Sequence, residues 1–584
     1  MLILKKNKFA KEIILFFKFI LKTYFDDDNK QINKLVLHFF KSHFLVIFFI
    51  RISFIYLNFI SLILYQKKIL KIQFDQLKNI LKIIENFKFL QSNKIIELFH
   101  AITAIHLNGE EVKNRVKVNI AIKDKNFFEN IVVGSGPGGS ITANQLNSEK
   151  KDVLIIERGE WFEHFKLKHP GSELMSKWNN GALAGALGNV KIQYASANCF
   201  GGGSEINSGL YHEPDEDFLN EWSQRFNTKN LNKEKIHKYC QLTKSETNVI
   251  YQNKVDELSK LILHGSKINN WKIEEIPRWI SYNQDKIQKK SMTKTYLKTY
   301  LENGGKIMLN TNVERIKKDK NHWSLSLNKK NVIKCKNLFL CCGSIENTFL
   351  LKKSNIIKKK NEILFHPMIK VIAKFPKKIN HYDSEICTQQ ITEFFPRFIL
   401  GNAASGLQFL KISSLGNKSL YEKIKDEWEF MSIFHATFSV GKGTVYSLPF
   451  IKDPIVKYEI NNKEIINIKD GLKKLCKLLF DSGAEYIFPI IKDSSTLFKD
   501  NYIDHIDKIK NVKEFNFSSV HILGGFPMGE NTKCIVDSYG KFFSEKNLYI
   551  NDSSLICNKL VKNPQGTVMA IALRNVQNFL NNHV

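Results

Sequence analysis

The sequence predicts a mixed α/β protein, α+β overall, built round a parallel sheet that distant stretches of chain join in turn. Three observations predict it. A short apolar strand at residues 130–133 runs directly into Gly134-Ser135-Gly136-Pro137-Gly138-Gly139 and then into a helical stretch at 140–146. A second strand, 152–156, ends on an acid, Glu157. Much later, an apolar strand at 337–344 ends at Gly343 and leads into a helix, as where a chain comes back to the dinucleotide site.

Before this unit, residues 1–120 read as a helical region. Its first apolar patches are broken by Lys5, Lys6, Lys11 and Lys18, then by Asp26, Asp27 and Asp28, with no small-residue cleavage site, so a secretory signal peptide is not expected. Residues 44–65 form a run rich in Phe, Ile and Leu whose only charge is Arg51, with Lys41 before it and Lys67 and Lys68 after it. Its length, about 20 residues, could cross a bilayer. Arg51 counts against spanning, at about 2.5–3.5 kcal/mol for a charge inside the apolar layer. Membrane contact and packing on the protein body both stay open for this segment. From Phe74 the pattern Phe74, Leu77, Ile80, Ile83, Ile84, Phe87 repeats at helical spacing, and a second apolar-periodic stretch starts at Ile95.

The chain has 584 residues, so two or three packed units are expected. A formal charge of +30 invites a nucleic-acid or anionic-membrane reading. Nearly all of the basic residues are Lys, however, and no dense basic stripe is interleaved with aromatics; no nucleic-acid partner is expected. Nine Cys without a C-x-x-C pair indicate neither a metal site nor a disulfide framework. A reducing compartment is implied, and the expected location is the cytoplasm, or a membrane surface facing it.

The Gly-rich turn carries a specific physical meaning in this context. Gly134 permits the tight turn, Gly136 lets the backbone approach a pyrophosphate, and Gly139 lets helix and strand pack closely, while Ser135, Pro137 and Gly138 complete a helix start whose free amides face the phosphate charge. Glu157, eighteen residues past Gly139, stands where an acid accepts hydrogen bonds from the adenosine ribose. Together these features form a Rossmann-like dinucleotide site, but they do not separate FAD from NAD.

Residues 197–211 decide between them by resemblance. The run Ala197-Asn198-Cys199-Phe200-Gly201-Gly202-Gly203-Ser204-Glu205-Ile206-Asn207-Ser208-Gly209-Leu210-Tyr211 resembles the first signature of the glucose-methanol-choline oxidoreductases, with Phe200 departing from the aliphatic residue usual there. Consecutive Gly residues let backbone amides reach a planar ring or phosphate unobstructed. Some members of that family attach the flavin through a His just before this Asn; Ile206 stands there, so the resemblance implies FAD held non-covalently. It further implies that Val313, after Thr311 and Asn312, packs near the adenine, that the strand ending at Gly343 approaches the FAD, and that Asp552 lies near the ribityl chain.

His521 stands in Ser518-Ser519-Val520-His521-Ile522-Leu523-Gly524-Gly525-Phe526-Pro527-Met528-Gly529, similar to the family's His-containing stretch, although Gly525, Phe526 and Pro527 replace the usual residues ahead of the Met-Gly pair. Asn563-Pro564 opens the last helix as Asn-Pro does in the family, with Thr567 expected at the cofactor. The resemblance makes His521 the base that takes the hydroxyl proton as hydride leaves for flavin N5, and Asn563 the partner that fixes the substrate oxygen. His366, before Pro367, reads as structural, and His435 as a residue of the substrate domain.

By the same resemblance, residues 128–210, 305–350 and 514–584 make the FAD-binding domain, and 211–304 and 351–513 a substrate domain whose sheet roofs the flavin. The likeness covers roughly residues 128–580 and is nearest to long-chain alcohol oxidases and their bacterial relatives. It implies an enzyme acting on a lipophilic alcohol, with oxygen or a quinone or haem partner as electron acceptor. A sugar or polyol dehydrogenase, a membrane-associated flavin-binding scaffold without turnover and a nicotinamide-dependent dehydrogenase are the competing readings.

Overall fold

The computed structural model describes residues 8–21, 32–40, 44–86, 98–99, 102–103, 125–162, 174, 176–182, 184–253, 255–283, 286–328, 331–358, 361–381, 384–414, 417–449, 451–492 and 494–582. Among them, a seven-stranded sheet has the strand Phe127–Val133 near its centre. Its neighbours Val332–Leu340 and Val153–Ile156 both run parallel to it, and Val133 lies level with Leu340 on one side and Ile156 on the other. Lys306–Met308 adds outside Val153–Ile156, with Met308 beside Ile156. Leu548–Ile550 adds beside Val332–Leu340, with Ile550 beside Leu340. Five parallel strands therefore end in one row. The residues just past their ends, Gly134, Glu157, Leu309, Cys341 and Asn551, are delivered to one crevice by register alone.

Both faces of this sheet are covered, as its near-continuous apolar strands require. On one side the helices Pro137–Ser148 and Gln565–Asn581 bring Ile141, Ala143 and Leu146 against Met569, Ala572 and Val576, joined by Tyr296, Leu297 and Tyr300. On the other, Phe218, Leu219, Trp222, Phe226, Ile236 and Cys240 pack on Ile131, Leu154 and Leu338. These last side chains come from the helices Glu216–Phe226 and Lys233–Glu246, in the stretch expected to build the substrate domain. Their apolar face at helical spacing matched either sheet, and the contact places them on the nucleotide side.

A second, thirteen-stranded sheet carries Met368–Lys374, Met431–Phe438 and Phe398–Asn402 at its heart. Gly185–Gly188 and Lys191–Tyr194, within the expected FAD-binding segment 128–210, pair in this sheet. So do Asn516–Ser519 and Ile522–Gly524, at the start of the expected segment 514–584. The two sheets thus interleave along the chain more often than the sequence boundaries allowed, and His521 sits between two strands of the larger one.

Helices Lys8–Ile20, Ile32–Phe39, Phe44–Tyr65 and Phe74–Asn86 make up most of the described N-terminal region, to which Phe99 and Ile102 add. They share an aromatic core of Phe16, Phe17, Phe39, Phe54 and Phe99. In Phe44–Tyr65, Ile50, Phe54 and Leu57 face that core, and the buried Asn58 amide donates to Glu12 Oε1 at 2.7 Å. Arg51 lies over the Phe9 ring, 4.8 Å from its centroid. The opposite face is apolar and exposed, with Ile55 at 71% and Phe59 at 59%. The periodic stretch from Ile95 lies mostly outside the described residues.

Candidate functional site

At the row of strand ends lies a cavity of about 590 Å³. It is within the range of sites that enclose a sizeable organic ligand. Gly134, Ser135, Gly136, Pro137, Gly138, Glu157, Gly202, Gly203, Asn207, Val313, Gly343, Asp552, His521 and Asn563 all line it. Residues far apart in sequence are thus brought to one wall.

The Gly-rich turn is held by contacts that no side chain could share. Gly134 has φ +96°, and a Cβ on Gly139 would lie 1.9 Å from the Gly134 carbonyl oxygen. Pro137 fills the first helical turn of Pro137–Ser148, where its missing N–H is not needed. The helix start therefore presents its amides to the cavity, a ready anion site. Ser135 ties three segments together: its hydroxyl donates to Glu157 Oε2 at 2.7 Å and accepts from the Gly201 N–H at 3.0 Å, while its own N–H donates to the same Glu157 oxygen at 3.0 Å. Glu157 Oε1 accepts from the Gly159 N–H at 2.8 Å. Each oxygen keeps acceptor capacity toward the cavity.

Asp552 does a similar job at the far strands. Its Oδ2 accepts from the Gly343 N–H at 2.6 Å and the Asn347 amide at 2.9 Å, and its Oδ1 accepts from the Ser554 N–H at 2.9 Å and from the Ser554 hydroxyl. Burial pushes its carboxyl pKa up. Asn207 donates to Gln565 Oε1 at 2.6 Å and accepts from the Gly209 N–H at 3.1 Å, which joins the Gly-rich second motif to the last helix. A Cβ on Gly203 would meet nothing within 4 Å, so the wall there is backbone facing open space. An acid and anion-binding helix start at one part of the cavity, with bare backbone and Asn207 at another, fit a long dinucleotide with a planar ring.

Four expected contacts lie off the cavity. Gly139 and Gly201 act in packing and in the Ser135 relay, and the Ser204 hydroxyl donates to the Gly201 carbonyl at 2.8 Å and accepts from the Met292 N–H at 3.0 Å. Thr567 is turned into the protein, 1% exposed, because on its helix Gln565 and Val568 take the cavity side. Phe200 is buried against Trp161, ring centroids 5.1 Å apart, and Phe526 packs near Phe542, so these two of the departures from the family pattern fill core.

The reactive end is His-rich. His521 Nδ1 lies 3.0 Å from His366 Nδ1, and His366 stands behind it, off the cavity. Burial pushes the His521 pKa down to about 4, and holds His366 well below the ordinary imidazole value. Burial disfavours the charged form of both rings, and one proton shared between the facing Nδ1 atoms would satisfy the contact. Asn563 Oδ1 accepts from the Gln390 amide at 3.5 Å. The large sheet, which carries His521 between two of its strands, also contributes Met368, Lys370, His435 and Thr437 to the lining.

A family model for GMC oxidoreductases matches residues 128–374 with its N-terminal part and 444–572 with its C-terminal part. The chain belongs to the GMC oxidoreductase family. Its cofactor is FAD, and it is an oxidoreductase acting on alcohol-type substrates. An uncharacterised GMC-type oxidoreductase of Sinorhizobium fredii is 25% identical over 471 residues, 76% of this chain and 93% of that protein. A long-chain-alcohol oxidase of Arabidopsis thaliana is 22% identical over 556 residues, 84% of this chain and 71% of that one. Among solved structures, pyridoxine 4-oxidase from Mesorbium loti superposes with a TM-score of 0.61 at 13% identity, over 78% of this chain and 100% of that one. A formate oxidase of Aspergillus oryzae gives 0.61 at 13%, over 79% and 99%. At such identities these likenesses speak for the fold.

Sequence reasoning passed over His366 as structural and did not single out Lys370, Gln390 or Gln565. A signal existed for Lys370, His435 and Thr437: each interrupts an otherwise apolar strand at the period-2 spacing of one sheet face.

Proposed function

We propose that this chain takes a hydride from the carbinol carbon of a lipophilic or long-chain alcohol, with His521 as base and Asn563 as the second partner of the substrate oxygen. Bound FAD supplies the hydride acceptor. The observation that carries the reading is the His521–His366 contact. When His521 donates its Nδ1 proton to His366, its Nε2 lone pair is left free, and no described residue hydrogen-bonds that atom. Hydride leaves readily only from an alkoxide-like oxygen, so a neutral imidazole held in this tautomer is the needed acceptor. Asn563 Oδ1 is engaged by Gln390, which turns the Asn563 amide N–H toward the same oxygen.

Apolar Ile386, Ile399, Ala403 and Phe409 in the lining support an aliphatic substrate, as does the kinship with long-chain-alcohol oxidases. Anaerobic reduction of the bound flavin by alcohols of increasing length tests this. A His521→Ala variant that reduces its flavin at the wild-type rate with every alcohol would remove the mechanism, and reduction by sugars but not by aliphatic alcohols would remove the substrate class. Oxygen is the proposed electron acceptor; peroxide yield in air, set against dye or quinone reduction under argon, decides between it and a quinone or haem partner.

We also propose that the chain works at the cytoplasmic face of a membrane. The exposed apolar face of Phe44–Tyr65, flanked by Lys67, Lys68 and Lys71, has the character of an interfacial helix. Flotation with anionic vesicles tests it. Replacing Ile55 and Phe59 by Ser should release the protein, and flotation unchanged by those substitutions would refute the contact.

A further inference from the structure

The large sheet that carries His521 also brings into the cavity a cation that no described carboxylate pairs. Lys370 lies in the middle of Met368–Lys374, directly across from His435 on Met431–Phe438. Met368, Lys370, His435 and Thr437 share the face that lines the cavity. The arrangement is built: His435 Nδ1 is 2.8 Å from the Thr437 hydroxyl, and on the next strand Gly401 opposes His435, where a Cβ would come within 3.1 Å of the imidazole. Space for that ring is made by the missing side chain.

No described carboxylate comes within salt-bridge distance of the Lys370 ammonium, and burial alone displaces its pKa, down to about 8. An ammonium enclosed without a counter-charge is expensive, and an anion brought in by a ligand would offset that cost. The phosphates of the dinucleotide belong at the Gly134 end. Lys370 belongs to the reactive end: it stands across from His435, a Cβ on Gly401 would touch both the His435 ring and Gln390, and Gln390 donates to Asn563.

We propose that Lys370 receives a carboxylate on the substrate itself, so that the preferred alcohol is a hydroxy-carboxylate with its carbinol at His521 and Asn563, its acid at Lys370, and its hydrocarbon along Ile399 and Phe409. This deepens the reading of the site as an alcohol-oxidising one and rests on it. A single ammonium beside neutral His435 and Thr437 matches one negative charge, whereas a phosphate ester would call for a second cation or a nest of amides.

The test uses the FAD-loaded enzyme and separates binding from turnover. Hexanoate, which has no hydroxyl to oxidise, is titrated against the flavin absorption spectrum, and flavin reduction by ω-hydroxyhexanoate is compared with that by hexanol. Wild-type enzyme should bind hexanoate and prefer the hydroxy acid, and K370M should lose about 10- to 100-fold in hexanoate affinity and in that preference, the value of one hydrogen-bonded charge pair. K370R should keep most of both. The proposal is overturned if wild-type enzyme binds hexanoate no better than hexanol, or if K370M weakens both substrates equally. Hexanoate binding needs no oxidation, so an enzyme that bound it through Lys370 yet reduced its flavin with no alcohol would sink the proposed reaction and leave the carboxylate site standing.

Discussion

Replacing His366 by Leu removes the acceptor that fixes the His521 tautomer while leaving every cavity-lining side chain in place. The two Nδ1 atoms are 3.0 Å apart in a partly buried contact, with His366 itself buried. Without its partner, the His521 Nδ1–H is a buried donor with no acceptor, at a cost of about 1–3 kcal/mol. The ring escapes that cost by moving its proton to Nε2, the atom needed as base. Since about 1.4 kcal/mol is a factor of ten in rate, flavin reduction under saturating alcohol should slow by roughly 10- to 100-fold. The assay is anaerobic stopped-flow reduction, with thermal melting of each variant run alongside. His366→Asn, whose amide oxygen can accept the same proton, should recover much of the rate. Wild-type reduction by His366→Leu would refute the argument, and so would equal loss in the Leu and Asn variants.

The geometry carries three further outcomes. Gly139→Ala sets a methyl against the Gly134 carbonyl, and since backbone cannot step aside, about 1–3 kcal/mol of stability and most of the bound flavin should be lost; a yellow protein of unchanged melting temperature would contradict this. Acid precipitation should leave the flavin in the supernatant, because Ile206 offers no atom for a covalent link; a yellow pellet would show otherwise. The folded-state pKa values of His212, His435 and His521 are depressed to about 3, 4 and 4, chiefly by burial, so below about pH 6.5 the unfolded chain takes up protons that the folded one refuses. Stability should then fall as pH drops from 6.5 toward 4, by about 1.4 kcal/mol per pH unit for each imidazole, and a urea midpoint that stays level over that range would exclude it.

The parts of the site legible in the sequence are those whose geometry is local. A strand, a Gly-rich turn and a helix start are contiguous, so Gly134 to Gly139 could be read without knowing what lies beside them. Glu157, Gly343 and Asp552 each stand just past an apolar strand, and parallel register then carries them to the same row. The features that escaped the reading depend on partners that no single segment encodes. The strands 185–188 and 191–194 have patterns that suit either sheet, and only their pairing with 455–459 and 516–519 assigns them. Thr567 was misplaced for want of the helix phase, which Gln565 and Val568 set. His366 looks inert in sequence because its significance is its distance from a ring 155 positions away.

The central claim is that an alcohol passes its hydride to a flavin gripped by these distant segments while His521 takes the proton. The most direct measurement is the visible spectrum of the purified protein, before and after anaerobic addition of an alcohol. The account predicts a bound flavin spectrum that bleaches with alcohol in the wild type and bleaches far more slowly in His521→Ala. Folded, colourless protein that takes up no flavin when offered it would contradict the account.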